Sequence, residues 1–226
     1  MTAHLADPRG GPPDAGGSLW DRLEPLLHRV QKPARYIGCE DGAATPDWSA
    51  AGPTSPVVAW LMTYPDTYEI GLPNQGLQIL YEILNERPDA LAERSYAPWI
   101  DLEAEMRATG VPLFSVDTHR DAGTFDLLAF NLSAELTYTN LLNCIDLAGV
   151  PVRAADRRAH HPLVVIGGHC AYNPEPVAAF DDKAALNGHS LLDGRVERKR
   201  EVTRQRGTRQ FEHPGIIGID DGPIVR

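Results

Sequence analysis

Two apolar runs, each followed directly by a loop that needs a permissive backbone, constrain the fold of this chain most. Residues 57–64 lead into Pro65-Asp66-Thr67-Tyr68-Glu69-Ile70-Gly71, and residues 163–166 lead into Gly167-Gly168-His169. Each pattern is typical of a buried strand that ends at the rim of an open α/β sheet, where such sheets hold ligands. The sequence therefore predicts a binding site built from strand ends.

From residue 57 onward the pattern alternates between strand, loop and helix. Strands are predicted at 57–64, 92–96, 127–132 and 163–166, and helices at about 75–85, 101–110 and 136–148. Near-continuous apolar strands separated by helices are typical of a parallel sheet covered on both faces. We therefore expect an α/β, Rossmann-like (flavodoxin-like) doubly wound sheet. A fifth strand is due soon after Phe180 and no such pattern follows, so the sheet is predicted to be incomplete at its last strand.

The rest of the chain divides by composition. Residues 1–17 are rich in Gly and Pro and are predicted to be disordered. Residues 18–56 are predicted to form a short amphipathic helix and a connector anchored by Tyr36 and Trp48. Residues 57–181 form the predicted α/β domain, and residues 182–226 form an atypical, poorly ordered tail with a basic stretch at 195–209. This tail is either a true variant or an altered reading of the gene.

The loops after successive parallel strands share one edge of the sheet, because the crossover connections are right-handed. Residues 66–71, 133–135 and 167–173 are therefore expected to converge, although they lie far apart along the chain. On this convergence the functional interpretation depends.

Composition excludes several classes of protein. A formal net charge of −10 argues against general nucleic-acid binding, which needs a surplus of Lys and Arg. The three cysteines, Cys39, Cys144 and Cys170, form neither a disulfide framework nor an iron–sulfur ligand motif. No secretory signal and no apolar run long enough to cross a bilayer are present, so we expect a cytoplasmic protein.

Other site chemistries have weaker support. His160, His161, His169 and Cys170 lack the paired spacing of a structural zinc site, and no His and acid can be placed beside Cys170 to make it a nucleophile. Neither a Gly-x-Gly-x-x-Gly nor a phosphate-binding loop follows any predicted strand, which counts against a nucleotide-dependent enzyme.

The chain resembles the N-terminal cobalamin-binding domain of an uncharacterised bacterial group of B12-binding radical SAM proteins, over about residues 20–181. The segments that carry the resemblance are Tyr-Pro-Asp-Thr-Tyr-Glu-Ile-Gly at 64–71, Gly-Leu-Gln-Ile-Leu-Tyr at 76–81, Glu-Arg-Ser-Tyr-Ala-Pro-Trp at 93–99, Phe-Asn-Leu-Ser at 130–133, Glu-Leu-Thr-Tyr-Thr-Asn at 135–140, Val-Ile-Gly-Gly at 165–168, Asn-Pro-Glu-Pro at 173–176 and the connector Lys-Pro-Ala-Arg-Tyr-Ile-Gly at 32–38.

The resemblance implies which residues bind the cofactor. Cobalamin domains carry Asp-x-His-x-x-Gly in the first loop, and the matching residues here are Asp66, Tyr68 and Gly71. A phenol must lose its proton, at a pKa of about 10, before it can ligate a metal, so we expect cobalamin without a histidine ligand from the chain. Tyr68 is expected to shield the lower face or donate a hydrogen bond instead.

The other two elements that the resemblance implies are partly kept. Ser133 matches the Ser-x-Leu after the third strand, but Glu135 replaces its Leu. Gly167 and Gly168 match the Gly-Gly pair, where the backbone can approach a bulky ligand closely.

The resemblance also implies partners. In that group a separate barrel binds a [4Fe-4S] cluster and S-adenosylmethionine, and no cysteine motif for the cluster occurs in this sequence. The chain alone is therefore not expected to be catalytic, and a separate radical SAM subunit or domain is an expected partner. Two alternatives remain open, namely a non-catalytic interaction protein with an eroded pocket and an α/β enzyme with a different ligand.

Overall fold

The computed structural model describes residues 18–44, 46–51 and 57–182. Within them, four parallel strands form one sheet in the order β2-β1-β3-β4: β1 (Val58–Tyr64), β2 (Ala90–Tyr96), β3 (Leu127–Asn131) and β4 (Leu163–Gly167). The predicted α/β, Rossmann-like fold class is confirmed, and the sheet has four strands within these residues.

In the part of the chain that the structure describes, five α-helices accompany the sheet: α1 (Leu19–Leu27), α2 (Tyr68–Gly71), α3 (Gln75–Asn85), α4 (Ile100–Thr109) and α5 (Tyr138–Leu147). The predicted amphipathic helix is α1, which begins at a reciprocal capping pair formed by Ser18 and Asp21 and buries its leucines. The predicted anchors of the connector, Tyr36 and Trp48, are both buried.

Alternate residues of each strand face opposite sides of the sheet, and the two sides are covered unequally. On one side, α1, α4 and α5 pack with Leu61, Leu128 and Phe130 into the larger core. On the other side, α3 places Leu77 and Tyr81 over β1 and β2. The doubly wound arrangement is therefore present, with its second face covered by one long helix.

The helical pattern also predicts that Leu80 lies on the buried stripe of α3 and that Asp101 caps α4, and both predictions are wrong. Leu80 is 41% exposed, because the face of α3 that reaches the sheet carries Leu77 and Tyr81. Asp101 does not cap α4; Trp99 occupies that position, and the Asp101 carboxylate accepts a hydrogen bond from the backbone N–H of Gln31 at 2.9 Å. The helix after β3 begins at Tyr138, after a 3₁₀ turn at Glu135–Thr137.

A buried ion pair closes the outer edge of β2. The Arg94 guanidinium donates to the Asp117 carboxylate at 2.6 Å, and the two side chains are 3% and 2% exposed. Asp117 also accepts from the backbone N–H of Arg94 at 2.6 Å, while the Val116 N–H donates to the Arg94 carbonyl at 2.8 Å. The segment around Asp117 thus satisfies polar backbone groups that an edge strand would otherwise expose.

At the opposite edge of the sheet, Asp182 pairs with β4. Its backbone N–H donates to the Val164 carbonyl at 2.9 Å, and its carboxylate accepts from the Val164 N–H at 2.9 Å. The Arg157 guanidinium lies 2.8 Å from the Asp182 carboxylate and compensates its buried charge. The disorder predicted for residues 1–17 and the atypical tail from 183 to 226, with its basic stretch, lie outside the described residues.

We predict that Asp117→Asn lowers the free energy of unfolding by about 3 kcal/mol or more, because it leaves the Arg94 charge buried without a counter-charge. Urea unfolding measures the effect. The control is Asp89→Asn, which breaks an ion pair with Arg87 whose side chains are 35% and 40% exposed, and it should cost less than about 1 kcal/mol. Equal losses in the two variants would contradict the importance of the buried pair.

Candidate functional site

A hydrogen bond joins the loop after β1 to the residue that follows β2. The carbonyl of Asp66 accepts a hydrogen bond from the Ala97 N–H at 2.9 Å, and the Asp66 carboxylate accepts from the Thr67 N–H at 2.7 Å. Asp66 therefore shapes the turn and joins two adjacent strand ends.

Tyr68, the residue that stands in place of a histidine, faces the connector and β2. Its ring packs edge-on against Tyr96 at a centroid distance of 5.5 Å, and its hydroxyl donates a hydrogen bond to the Glu40 carboxylate. Burial, together with the hydrogen bond to Glu40, raises the pKa of Tyr68 above its ordinary value. The phenol is therefore held protonated at neutral pH.

Ion pairs and hydrogen bonds hold the connector against the same part of the carboxyl edge. Glu69 pairs with Arg35 at 2.8 Å and with Lys32 at 3.1 Å, and the hydrogen bond from Arg35 lowers the pKa of Glu69 to about 2. The Tyr36 hydroxyl accepts from the Trp99 N–H at 3.0 Å. Together with the Glu40 to Tyr68 hydrogen bond, these contacts place residues 32–40 against the β1 and β2 half of the carboxyl edge.

Gly71 makes room for an aromatic ring. A Cβ at this position would lie 2.4 Å from Cδ1 of Tyr96. Among the described residues, the buried Tyr96 hydroxyl has no hydrogen-bond partner, and burial raises the pKa of Tyr96. The role of Gly71 that the structure shows is therefore close packing of the first loop on β2.

A chain of neutral polar side chains occupies the gap between β1 and β3. The Asn131 amide donates to the Asn74 Oδ1 at 3.1 Å, and the Ser133 hydroxyl donates to the Asn131 Oδ1 at 3.0 Å. Asn74 also caps α3 by accepting from the Leu77 N–H at 2.9 Å. The connections from β1 and β3 diverge at this gap, which is the topological switch point where open α/β sheets bind ligands.

Gly167 and Gly168 meet different surroundings. A Cβ at Gly168, whose φ is +90°, would lie 2.5 Å from the Leu132 carbonyl oxygen and 2.6 Å from the Asn131 Oδ1. A Cβ at Gly167 would meet no atom of the described residues within 4 Å. Gly168 is thus required for the close approach of the β3 and β4 loops, whereas Gly167 borders open space.

An apolar shelf leads from Gly167 along the sheet. Val165 and Leu163 alternate with Gly167 on β4, and Leu127 lies beside Leu163 on β3, so that all four share the face that carries α3. The three side chains are half-buried, and α3 packs over β1 and β2. Within the described residues no helix covers this part of the sheet.

The structure brings the predicted site residues together in two groups. Ser133, Gly167 and Gly168 meet at the ends of β3 and β4, where the Leu132 N–H donates to the Gly167 carbonyl at 2.8 Å. Asp66, Tyr68 and Gly71 contact the end of β2 instead. Glu135 lies exposed in the turn after β3.

Sequence reasoning missed three residues of this edge: Glu40, Asn74 and Tyr96. For Asn74 a signal was present, since an Asn directly before a helical pattern is a preferred N-cap. Nothing local indicates Glu40 or the packing of Tyr96 on Gly71, because these contacts join residues 28 and 25 positions apart.

Within residues 18–44, 46–51 and 57–182, His, Cys, Asp and Glu side chains form no group of three or more that could hold a metal ion. In the same part of the chain, none of the helices has the length and hydrophobicity needed to cross a bilayer.

Comparison with known proteins identifies the family. A family model described as the N-terminal part of radical SAM proteins matches residues 76–211, more than half of the chain. The chain belongs to this family. The match includes the ends of β3 and β4 and begins after the first loop. No curated protein and no solved structure shows significant similarity to the chain.

We predict that Gly168→Ala destabilises the protein by more than about 2 kcal/mol, since it adds a Cβ against the Leu132 carbonyl and forces an L-residue to positive φ. Gly167→Ala is the matched control and should stay within about 1 kcal/mol, the ordinary range of a Gly to Ala change in a strand. Thermal and urea unfolding measure both variants. A stable Gly168→Ala protein would contradict the close packing of the two loops.

We predict that Glu40→Gln lowers the pKa of Tyr68, because it removes the negative charge beside the phenol. The pKa should remain above its ordinary value, since burial is the largest cause of the shift. The measurement is the tyrosinate absorbance against pH, taken as the difference from a Tyr68→Phe protein. Asp41→Asn, at the neighbouring exposed position, should leave this difference curve unchanged, and an unchanged curve in Glu40→Gln would show that the pair is absent in solution.

Proposed function

We propose that the chain is the cobalamin-binding module of a cytoplasmic radical SAM protein. Its membership of the radical SAM N-terminal family supports the association with radical SAM chemistry. The parallel order β2-β1-β3-β4 supports a ligand site at the carboxyl edge.

The observation that carries the proposal is the space beside Gly167, where no atom of the described residues lies within 4 Å of an added Cβ. A large, rigid ligand needs a surface without protruding side chains, and Gly167 continues into the apolar shelf of Val165 and Leu163. We infer that the nucleotide tail of cobalamin lies along this shelf, with Gly167 and Gly168 at its entrance. The nearby hydroxyl and amides of Ser133, Asn131 and Asn74 supply neutral hydrogen-bonding groups for the polar parts of the ligand.

The first loop has a different part in this proposal. Because Tyr68 is held by Glu40 and its pKa is raised, it remains a neutral phenol and does not ligate cobalt. We therefore propose that cobalamin binds without a histidine ligand from this loop. Asp66 and Gly71 shape the edge against which the corrin ring of cobalamin lies. Glu135 borders the site from the exposed turn after β3.

Bound cobalamin would carry a methyl group or handle an electron. The [4Fe-4S] cluster and S-adenosylmethionine belong to the radical SAM portion, which we propose as the partner domain or subunit. In this proposal the residues of this chain bind and orient the cofactor.

Two observations favour a second candidate function, a non-catalytic interaction protein of the same fold. The Asn74 to Asn131 hydrogen bond bridges the gap between β1 and β3, and Glu135 stands where the family resemblance implies Leu. This candidate predicts that the protein purifies colourless and that hydroxocobalamin does not change its melting temperature.

The experiment is an anaerobic titration of the full chain with hydroxocobalamin, followed by visible absorbance and by thermal unfolding. We expect saturable binding with the spectrum of cobalamin that lacks a histidine ligand. Gly167→Trp should weaken binding about tenfold or more, because the indole fills the space that the ligand needs. The melting temperature of the free variant should stay near that of the parent, since no atom lies within 4 Å of the added Cβ.

Ile79→Trp is the control, because Ile79 is 55% exposed on α3, whose buried residues are Leu77 and Tyr81. It should bind cobalamin as the parent does. Unchanged affinity in Gly167→Trp would contradict the placement of the ligand. A spectrum of histidine-ligated cobalt that His169→Ala abolishes would contradict the absence of a histidine ligand from the chain.

A further inference from the structure

A short segment of the connector lies against the first loop, between two buried anchors. This segment, residues 37–44, which we name the strap, follows Tyr36 and precedes Trp48, and these two residues are 5% and 4% exposed. The Tyr36 hydroxyl accepts a hydrogen bond from the Trp99 N–H after β2, and the Trp48 indole donates one to the buried Glu93 carboxylate at 2.6 Å. Both anchors are therefore fixed to β2 or to the loop that follows it.

Between the anchors, the strap is lightly held. All of residues 37–44 are half-buried or exposed. The Glu40 carboxylate accepts the hydrogen bond of the Tyr68 hydroxyl, and the Ala44 N–H donates to the Tyr81 hydroxyl at 2.7 Å. A segment with few buried apolar contacts opens at a low cost in free energy. We therefore expect the strap to open while its anchors stay in place.

The backbone of the strap turns at residues in the left-handed region. The φ angles of Gly38, Cys39 and Gly42 are +75°, +67° and +76°. Cys39 carries a side chain in a conformation that is costly for an L-residue. The observed arrangement is therefore strained at Cys39, and contacts with the rest of the protein must hold it. One such contact is at Gly38, where an added Cβ would lie 2.2 Å from the Val116 carbonyl oxygen.

The strap lies beside the part of the edge that the corrin ring is proposed to contact. Asp66 and Gly71 shape this part, and Tyr68 lies between them along the chain. The Glu40 carboxylate occupies the space at the Tyr68 hydroxyl. A broad, flat macrocycle therefore cannot pass this side of the loop while the hydrogen bond between Glu40 and Tyr68 is intact.

We propose that the strap opens and closes over the first loop and so controls the entry and release of cobalamin. This inference rests on the proposed function, because cobalamin is the ligand whose passage the strap controls. In the closed arrangement Glu40 holds Tyr68, and in the open arrangement Tyr36 and Trp48 stay in place. A strap that makes the same contacts before and after binding slows entry and release alike, and it leaves the affinity unchanged.

The first test removes the hydrogen bond that holds the strap to the loop. The full chain is mixed rapidly with hydroxocobalamin, visible absorbance gives the association rate, and dilution of the loaded protein gives the release rate. We expect Glu40→Ala to raise both rates about fivefold or more, because a hydrogen bond to a charged group is lost. The dissociation constant should stay near that of the parent. Asp41→Ala, at the neighbouring exposed position, is the control and should leave both rates unchanged.

A matched pair of glycine variants tests the same opening through the backbone. Gly38→Ala adds a Cβ against the Val116 carbonyl and should displace the strap, whereas a Cβ at Gly42 would meet no atom of the described residues within 4 Å. Both variants place an L-residue at positive φ, so the strain of the backbone is matched. We expect faster entry and release in Gly38→Ala and parent rates in Gly42→Ala.

Two results would overturn the proposal. The first is parent rates of entry and release in both Glu40→Ala and Gly38→Ala. The second is faster release with an unchanged association rate, because Glu40 would then hold the bound ligand and not its entrance.

Hydrogen exchange without cobalamin separates this inference from the proposed function. The backbone amides of residues 37–44 should exchange faster in Glu40→Ala and Gly38→Ala than in the parent, and Asp41→Ala should match the parent. If no protein binds cobalamin, the proposed function fails and control of cobalamin entry fails with it, whereas faster exchange would still show that the strap opens. If cobalamin binds while rates and exchange match the parent in every variant, the strap inference fails by itself.

Discussion

The parallel alignment of the four strands is the constraint on which every other feature of this structure depends. Since β1 lies between β2 and β3 and all strands point the same way, four loops meet at one edge. The connection from β1 crosses towards β2, and the next connection returns past β1 to β3. This reversal creates a gap at the end of β1, and polar side chains from both sides meet there.

The two halves of the carboxyl edge are covered differently. Over β1 and β2, the connector adds Glu40 to Tyr68 and cations to Glu69, so this half is covered by the chain itself. Over β3 and β4, Gly167 and the apolar shelf remain accessible within the described residues. In the covered half, Gly71 has no room for a side chain because it packs on Tyr96. In the other half, Gly168 has none because it packs against the Leu132 carbonyl, whereas Gly167 meets no described atom.

Burial of charge occurs where the sheet would otherwise end. Arg94 with Asp117 closes one outer edge, and Arg157 with Asp182 satisfies part of the other. Buried pairs are costly to desolvate, and their clearest benefit here is that each carboxylate also accepts a backbone N–H of an edge strand. The two ion pairs therefore lie at the two outer edges of the described sheet, where they satisfy backbone groups of the edge strands.

The sequence by itself determined the strands, the long helices and the edge at which their loops meet, because apolar periodicity and Gly or Asn at element ends are local signals. It also identified Gly167 and Gly168 as a pair. Only the tertiary structure decided that Tyr68 contacts Glu40, that Asn74 reaches Asn131 and that the two glycines have different surroundings. Those contacts join residues that are distant along the chain, and they depend on how α3 and the connector pack against the sheet. The helix α3 covers β1 and β2 and leaves the shelf beside Gly167 uncovered within the described residues. This arrangement also follows from tertiary packing and not from any one segment.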